Sequence, residues 1–571
     1  MRSMRMWTKG IVIAAAVGAA SGHRSSGSKF TTTTTTTNAN ANANPNAAAN
    51  ANANANAAES NVLRGDYVGP EACGECHEEK LGAWRGSLHR VMTQTVKGVV
   101  GDFGNVSVSY GGGTARFVRE GGVPVMELGG ERYRVTRTIG ARGLQEYVGV
   151  GSDGMEVRLP FGWWIARAGW YPQPYFDSWF GAERDAEGRL AFDAFRPERV
   201  PWAGRCAWCH NTYAFELRML RGEEIGNGPE AHVELVSTAR TPEQQRRVRE
   251  ENLLPVDELV TVGVSCESCH LGGRAHADGA PQRFVPLGAG VRRKEEAPPA
   301  ARGRHEPALV NAICAQCHST PSPRYPDGTA TRNSTEALDQ AAGECATAIS
   351  CIDCHDPHER GPGAGAADQP AQVAACTGCH ESLAHPATAR AHGRHEPGAA
   401  SCLDCHMPRM VEGVGGQFVR SHRISSPTDA AMLGAGAPNA CNLCHLDRSI
   451  RWTVDELRAG WGVTLAMDGR WRAAYGDLDV PVGTAWLVGD AAPVRLAAAA
   501  AFARRGDRAA LPSLLALMDD PVAHDRMWML FAVERLLGRR LRADEYDPMA
   551  APDVRAMQIA TLRRAAAEAR P

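Results

Sequence analysis

Residues 351–358 read Cys351-Ile352-Asp353-Cys354-His355-Asp356-Pro357-His358, and the spacing of the first five governs the reading of the whole chain. On a helical turn, positions i, i+3 and i+4 share one face. The two thiols can therefore add to the two vinyl groups of one porphyrin while the adjacent histidine reaches its iron. The same C-x-x-C-H pattern recurs with Cys73, Cys76 and His77; Cys206, Cys209 and His210; Cys266, Cys269 and His270; Cys314, Cys317 and His318; Cys376, Cys379 and His380; Cys402, Cys405 and His406; and Cys441, Cys444 and His445. These eight copies take up all but one of the 17 cysteines, and each is predicted to attach a c-type haem covalently.

Other uses of paired cysteines fit less well. Zinc ribbons need no histidine directly after the second cysteine and require further ligand pairs to complete a tetrahedron. Thioredoxin-like motifs come singly in a βαβ setting, which is absent here. The seventeenth cysteine, Cys345, lies six residues before Cys351; an inert buried thiol, a sulfur near an iron and an intermolecular disulfide partner all remain open for it.

Composition sets the class. The 571 residues carry a formal charge of -2, to which eight haems would add about 16 propionates. No basic excess points to nucleic acid. With porphyrin filling much of the interior between residues 73 and 445, secondary structure there is expected to be sparse.

Arg2, Arg5 and Lys9 precede an apolar run from Ile11 to Ala20 and small residues to Gly22, the layout of a secretory signal peptide over 1–22. Export agrees with thioether attachment of haem outside the bacterial cytoplasm, so a periplasmic or cell-surface location is expected. Residues 23–60, with seven threonines followed by alternating Asn and Ala, cannot bury enough apolar surface to offset ordering entropy and read as a disordered tether. That segment is the candidate for membrane or cell-surface association.

After a first haem segment at 61–100, the long gap between His77 and Cys206 needs other content. Short alternating runs at 116–120, 123–128 and 133–139, separated by Gly pairs, and the turn Asp153-Gly154 predict a small antiparallel β insert over 101–165. A tryptophan-rich stretch, Trp163, Trp164, Trp170, Trp179, Trp202 and Trp208, leads into the second motif. A haem-dense core follows over 166–450. Beyond it, Thr453 and Glu456 suggest a capping box, and Pro493, Pro521 and Pro552 each open an amphipathic helix, a spacing that suits short HEAT-like repeats over 451–571. The expected fold class is thus a mostly α and irregular multihaem core with a β insert and a C-terminal helical repeat domain.

Of the 19 histidines, nine outside the motifs fall within the haem region. A second imidazole on an iron gives a low-spin, rapidly cycling haem. The best candidates for distal ligands are His89, His276, His305, His358, His385, His392, His395 and His422. His305 and His395 sit in duplicated Gly-Arg-His-Glu-Pro segments. His232 is the weakest. Nine candidates allow full bis-histidine ligation or one open iron, and His210 is the candidate for the open site, since its motif is followed by no histidine until His232.

The segments 67–89, 205–212, 263–270, 354–358, 405–408 and 438–449 together resemble bacterial multihaem cytochromes of the cytochrome c-554 type, particularly large exported members with a C-terminal TPR or HEAT domain. The likeness covers roughly residues 66–460. It implies bis-histidine haems in close pairs and electron transfer, with a five-coordinate haem at the second motif of smaller relatives. Two functional expectations follow. One is an exported octahaem carrier that moves electrons between redox protein partners, docked through its helical repeats, in a respiratory or extracellular chain. The alternative is a multihaem oxidoreductase acting on a small nitrogen or sulfur compound at one open iron.

Overall fold

The computed structural model describes residues 60–172 (except 111–112), 201–221, 233–294 (except 239 and 289), 306–358 and 369–568 (except 397 and 415). The signal peptide, the tether before Ser60, Trp179, His232 and His305 lie outside the described residues.

The predicted insert is an antiparallel sheet of nine strands: β1 Thr93–Thr95, β2 Val106–Tyr110, β3 Gly113–Glu120, β4 Val123–Leu128, β5 Glu131–Ile139, β6 Leu144–Val150, β7 Glu156–Arg158, β8 Phe161–Trp164 and β9 Gly169–Pro172. The order is β2-β3-β4-β5-β6-β8-β9, with β1 added on β5 and β7 on β6. Gly121-Gly122 and Gly129-Gly130 close the β3–β4 and β4–β5 hairpins with positive φ at both central positions, which the hairpin twist demands and glycine supplies without strain. The sheet extends beyond 101–165 at both ends, because β1 and β9 look like loop in sequence and become strands only by pairing with β5 and β8.

Tryptophan content gives this sheet its own core. Trp170 stacks on Phe117 at 3.7 Å and meets Trp163 edge-on at 5.2 Å. These two rings therefore do not wall the second motif. Trp202 and Trp208 do, joining Ile139, Val148, Leu217 and Leu220 in a cluster against Cys206 and Cys209.

The haem region is built of short helices and turns. Each motif forms the predicted helical turn. The His N–H donates to the first Cys carbonyl at 2.9 Å in Cys73–His77, 3.0 Å in Cys351–His355 and 2.8 Å in Cys441–His445, and Cys266–His270 and Cys402–His406 are themselves helices. Local sequence explains two of these turns: in Ser350-x-x-Asp353 and Ser401-x-x-Asp404 the carboxylate reaches back to the serine backbone N–H at 2.6 and 2.9 Å, a capping box overlaid on the motif.

The tail is helical: Ile450–Trp461, Gly469–Tyr475, Val482–Val488, Ala492–Arg505, Leu511–Leu517, Ala523–Leu537 and Pro552–Glu568. Its first helix begins earlier than the Thr453 capping box suggests. Ser449 is the cap, accepting from Trp452 N–H at 3.1 Å, while Thr453 lies inside the helix and donates to Asn442 at 2.9 Å. In the three Pro-led segments Arg495, Arg526 and Arg555 each donate back to carbonyls of the preceding loop, a shared device for fixing the helix start. The apolar core is continuous across residue 451, running from Trp164, Tyr325, Met410 and Leu443 through Leu514 and Val533 to Leu562. Trp164 of β8 meets Phe531 edge-on at 4.9 Å, and Phe418 meets Trp528 at 5.2 Å.

Candidate haem sites

Five pairs of imidazoles recur with the same geometry. His77 faces His276 with ring centroids 6.2 Å apart, His270 faces His358 at 6.2 Å, His355 faces His422 at 6.1 Å, His406 faces His392 at 6.1 Å and His445 faces His395 at 6.2 Å. Each pair joins one motif histidine to one histidine outside the motifs. An iron bonded to a nitrogen of both rings, at about 2 Å per bond, sets centroids about 6 Å apart. The two imidazoles of each pair would therefore hold a haem iron between them. Among the described residues no three of His, Cys, Asp and Glu gather as a metal site.

The rings are also oriented for ligation. His276 Nδ1 bonds the Ala280 carbonyl at 2.8 Å, His395 Nδ1 the Gly393 carbonyl at 2.6 Å and His406 Nδ1 the Ser425 carbonyl at 2.9 Å. A carbonyl can only accept, so Nδ1 carries the proton and Nε2 keeps its lone pair. His358 and His318 use carboxylates instead, Asp356 at 3.0 Å and Glu336 at 2.9 Å. Neutral imidazole, the form that binds iron, is favoured by burial. Desolvation pushes His270 down to about 4, with the charges of His358, His77 and His276 adding to it. Burial likewise lowers His355 and His422. His318 goes the other way: burial opposes its charge, yet the Glu336 hydrogen bond and charge prevail and raise its pKa.

Burial first, then the charges of His318 and His358, lower the pKa of His89, with the Pro357 backbone opposing. His385 occupies the N-cap position of the helix Pro386–Gly393, and no motif histidine is seen against it among the described residues.

His210, His318 and His380 have no second histidine ring opposite them among the described residues; His210 is the last residue of the helix Ala207–His210. Burial first, then the charge of Arg158, pushes it down to about 4, with the Met92 backbone working against them. Arg158 comes from β7 and pairs with Glu146 of β6 at 2.6 Å. The insert thus supplies the charged surroundings of the second motif, a link that sequence separation conceals.

Cysteines of different motifs touch. Cys73 lies beside Cys266, Cys209 beside Cys317 and Cys314 beside Cys351. Cys269 lies near Cys314 and Cys317, Cys376 near Cys354 and Cys402, and Cys441 near Cys405. The contacts string the motifs into one connected series, with the second joined to the fourth as a branch. Cys345 sits beside Cys376, at the edge of the sixth motif.

The family model for cytochrome c552 matches residues 382–461, the stretch holding the seventh and eighth motifs with His392, His395 and His422. The crystal structure of outer cell wall cytochrome OcwA is similar over 88% of this chain and 100% of that chain, at 15% identity and a TM-score of 0.35. No curated protein matches.

Proposed function

We propose that this chain, an electron-transfer c-type cytochrome with covalently bound haem iron, is an exported octahaem relay that passes electrons between protein partners. The observation that carries the reading is the recurrence of motif and non-motif histidines at 6.1–6.2 Å. Bound haem supplies one-electron iron chemistry. The chain attaches it through the paired cysteines, orients the rings of His276, His395 and His406 through Nδ1 hydrogen bonds, and disfavours the charged form of His270, His355 and His422 by burial. Contacts between cysteines of successive motifs support haem edges close enough for rapid transfer along the series.

Export rests on the signal-peptide layout of residues 1–22, and the helical tail, with its three Pro-led segments, is the proposed docking surface for a redox partner. No described helix is long and apolar enough to cross a membrane. Mass spectrometry of the mature protein tests the reading, with eight thioether-linked haems expected; fewer than seven after expression with a competent maturation system would sink it.

A second reading is an oxidoreductase using one open iron, for which His210 is the candidate because its motif is followed by no histidine until His232, which lies outside the described residues. Its substrate would be a small nitrogen or sulfur compound.

A further inference from the structure

Residues 319–335 leave the fourth motif and return to it. Thr320 N–H donates to the Ser334 carbonyl at 2.8 Å and Ala337 N–H to the His318 carbonyl at 3.0 Å, so the two ends of the loop are tied together at the motif histidine. Ser334 has φ 68°, a left-handed conformation in which residues other than glycine are uncommon. The turn it makes opens the helix Glu336–Ala341 and lays Glu336 against the ring of His318, with Nδ1 and Oε2 2.9 Å apart. The other carboxylate oxygen accepts the Ser334 N–H at 2.9 Å. Hydrogen bonds to both oxygens favour the ionised carboxylate, which can only accept, so the proton belongs to His318 Nδ1 and Nε2 keeps its lone pair.

The helix that carries Glu336 is itself fixed. Buried Asp339 accepts from Arg324 at 3.0 Å and from the Ala330 N–H at 3.1 Å. Asn311 donates to Gln340 at 3.2 Å, and Asn311 lies on the helix Pro307–Ala315 that also bears Cys314. Glu336 is therefore held toward His318 by structure built around the motif.

Other candidate axial rings are bonded differently. His276, His395 and His406 meet backbone carbonyls, which carry no charge. Asp356 meets His358 from two residues away, whereas Glu336 reaches a motif histidine across 18 positions. A charge-assisted hydrogen bond is roughly twice as strong as a neutral one, and it raises the basicity of the imidazole as a ligand. A more basic axial donor stabilises ferric over ferrous iron. The proton stays between Nδ1 and Oε2, so reduction at this site takes up one electron and releases no proton.

The fourth motif also sits between two others. Cys209 Sγ of the second motif lies 3.9 Å from the Gln316 carbonyl oxygen, and the Cys351 N–H of the fifth donates to Asn311 at 2.9 Å.

We propose that Glu336 is a positioning residue that holds His318 through its Nδ1 proton and lowers the reduction potential of the haem at the fourth motif, so that this junction passes electrons on rather than storing them. The inference rests on the relay reading and adds to it the residue that sets one potential.

The test uses full-length holoprotein carrying Glu336→Gln or Glu336→Asp, followed by spectroelectrochemical titration and mass spectrometry. Glu336→Gln should keep its haem mass and displace one redox component upward, with the others in place. Glu336→Asp keeps the charge but shortens the reach by one methylene, so the same component should move upward by less; it reads the site even if Glu336→Gln folds poorly. Wild-type potentials in both variants with haem mass intact would overturn the role of Glu336. Equal displacements in the two would report a disturbed loop and overturn it as well. A wild-type peptide containing Cys314 and Cys317 without haem mass would sink the haem reading itself, whereas haem present with unmoved potentials sinks the role of Glu336 alone.

Discussion

The ring of His392 lies 10° from parallel to that of His406, their centroids 6.1 Å apart. His392 ends up there because the helix Pro386–Gly393 carries it across the start of the seventh motif, and Trp461 of the tail fixes that helix by donating to the His392 carbonyl at 2.7 Å.

Replacing His392 by Ala should leave every thioether-linked haem in place but convert one low-spin haem to high spin. Electron paramagnetic resonance of the oxidised protein reads the change directly. An unaltered low-spin spectrum would show that His392 is not a ligand of the iron held by His406.

If the iron held by His210 is open, wild-type protein should show about one high-spin haem per molecule and bind about one carbon monoxide when reduced. His210→Met should remove most of that signal and spare the low-spin haems. A wild type with neither high-spin signal nor carbon monoxide binding would defeat the open-iron reading, and with it most support for an enzyme.

Phe531→Ala should cost about 3–5 kcal/mol, because its ring packs on Trp164 and Trp528 where sheet, core and tail meet. A double-mutant cycle with Trp164→Ala should give a coupling of about 0.5–1.5 kcal/mol. Zero coupling would mean the tail is not seated on the sheet as described. For the same reason, ending the chain after Trp461 should lower the melting temperature of the haem core.

Asp525 is buried beside Arg495 at 3.5 Å, yet burial wins and pushes its carboxyl up to about 6. Its folded pKa exceeds the unfolded value, so the native state holds a proton that the unfolded chain releases. Stability from this group is therefore present below about pH 4 and lost as pH rises to about 6, a swing of at most about 3 kcal/mol. Asp525→Asn should flatten the pH dependence across that window and stabilise the protein at pH 7. Urea melts at pH 4.5 and 7 that fall in parallel with those of the wild type would contradict the assignment.

The eight C-x-x-C-H turns and the Gly-paired hairpins were legible in sequence because each depends on residues within five positions: a helical turn brings i, i+3 and i+4 to one face, and positive φ selects glycine. The capping boxes at Ser350 and Ser401 are equally local, whereas the one expected at Thr453 falls inside a helix capped by Ser449. Assignment of His276 to His77, or of His422 to His355, was not legible, since each pair is set by how short irregular segments cross rather than by any period. The candidate set contained all five facing histidines, while the partner of each did not follow from it. Trp163 and Trp170 precede the second motif in sequence yet pack in the core of the sheet, because aromatic content says that a ring is buried, not against what.

Sequence by itself determined the cofactor chemistry, because thiol pairs with an adjacent histidine specify attachment locally. Tertiary structure alone decided which histidines face each other and that β7 delivers Arg158 beside His210. The facing histidines stand from 14 positions apart, in His392 and His406, to 199, in His77 and His276, and burial of several apolar clusters rather than any local period brings such residues together.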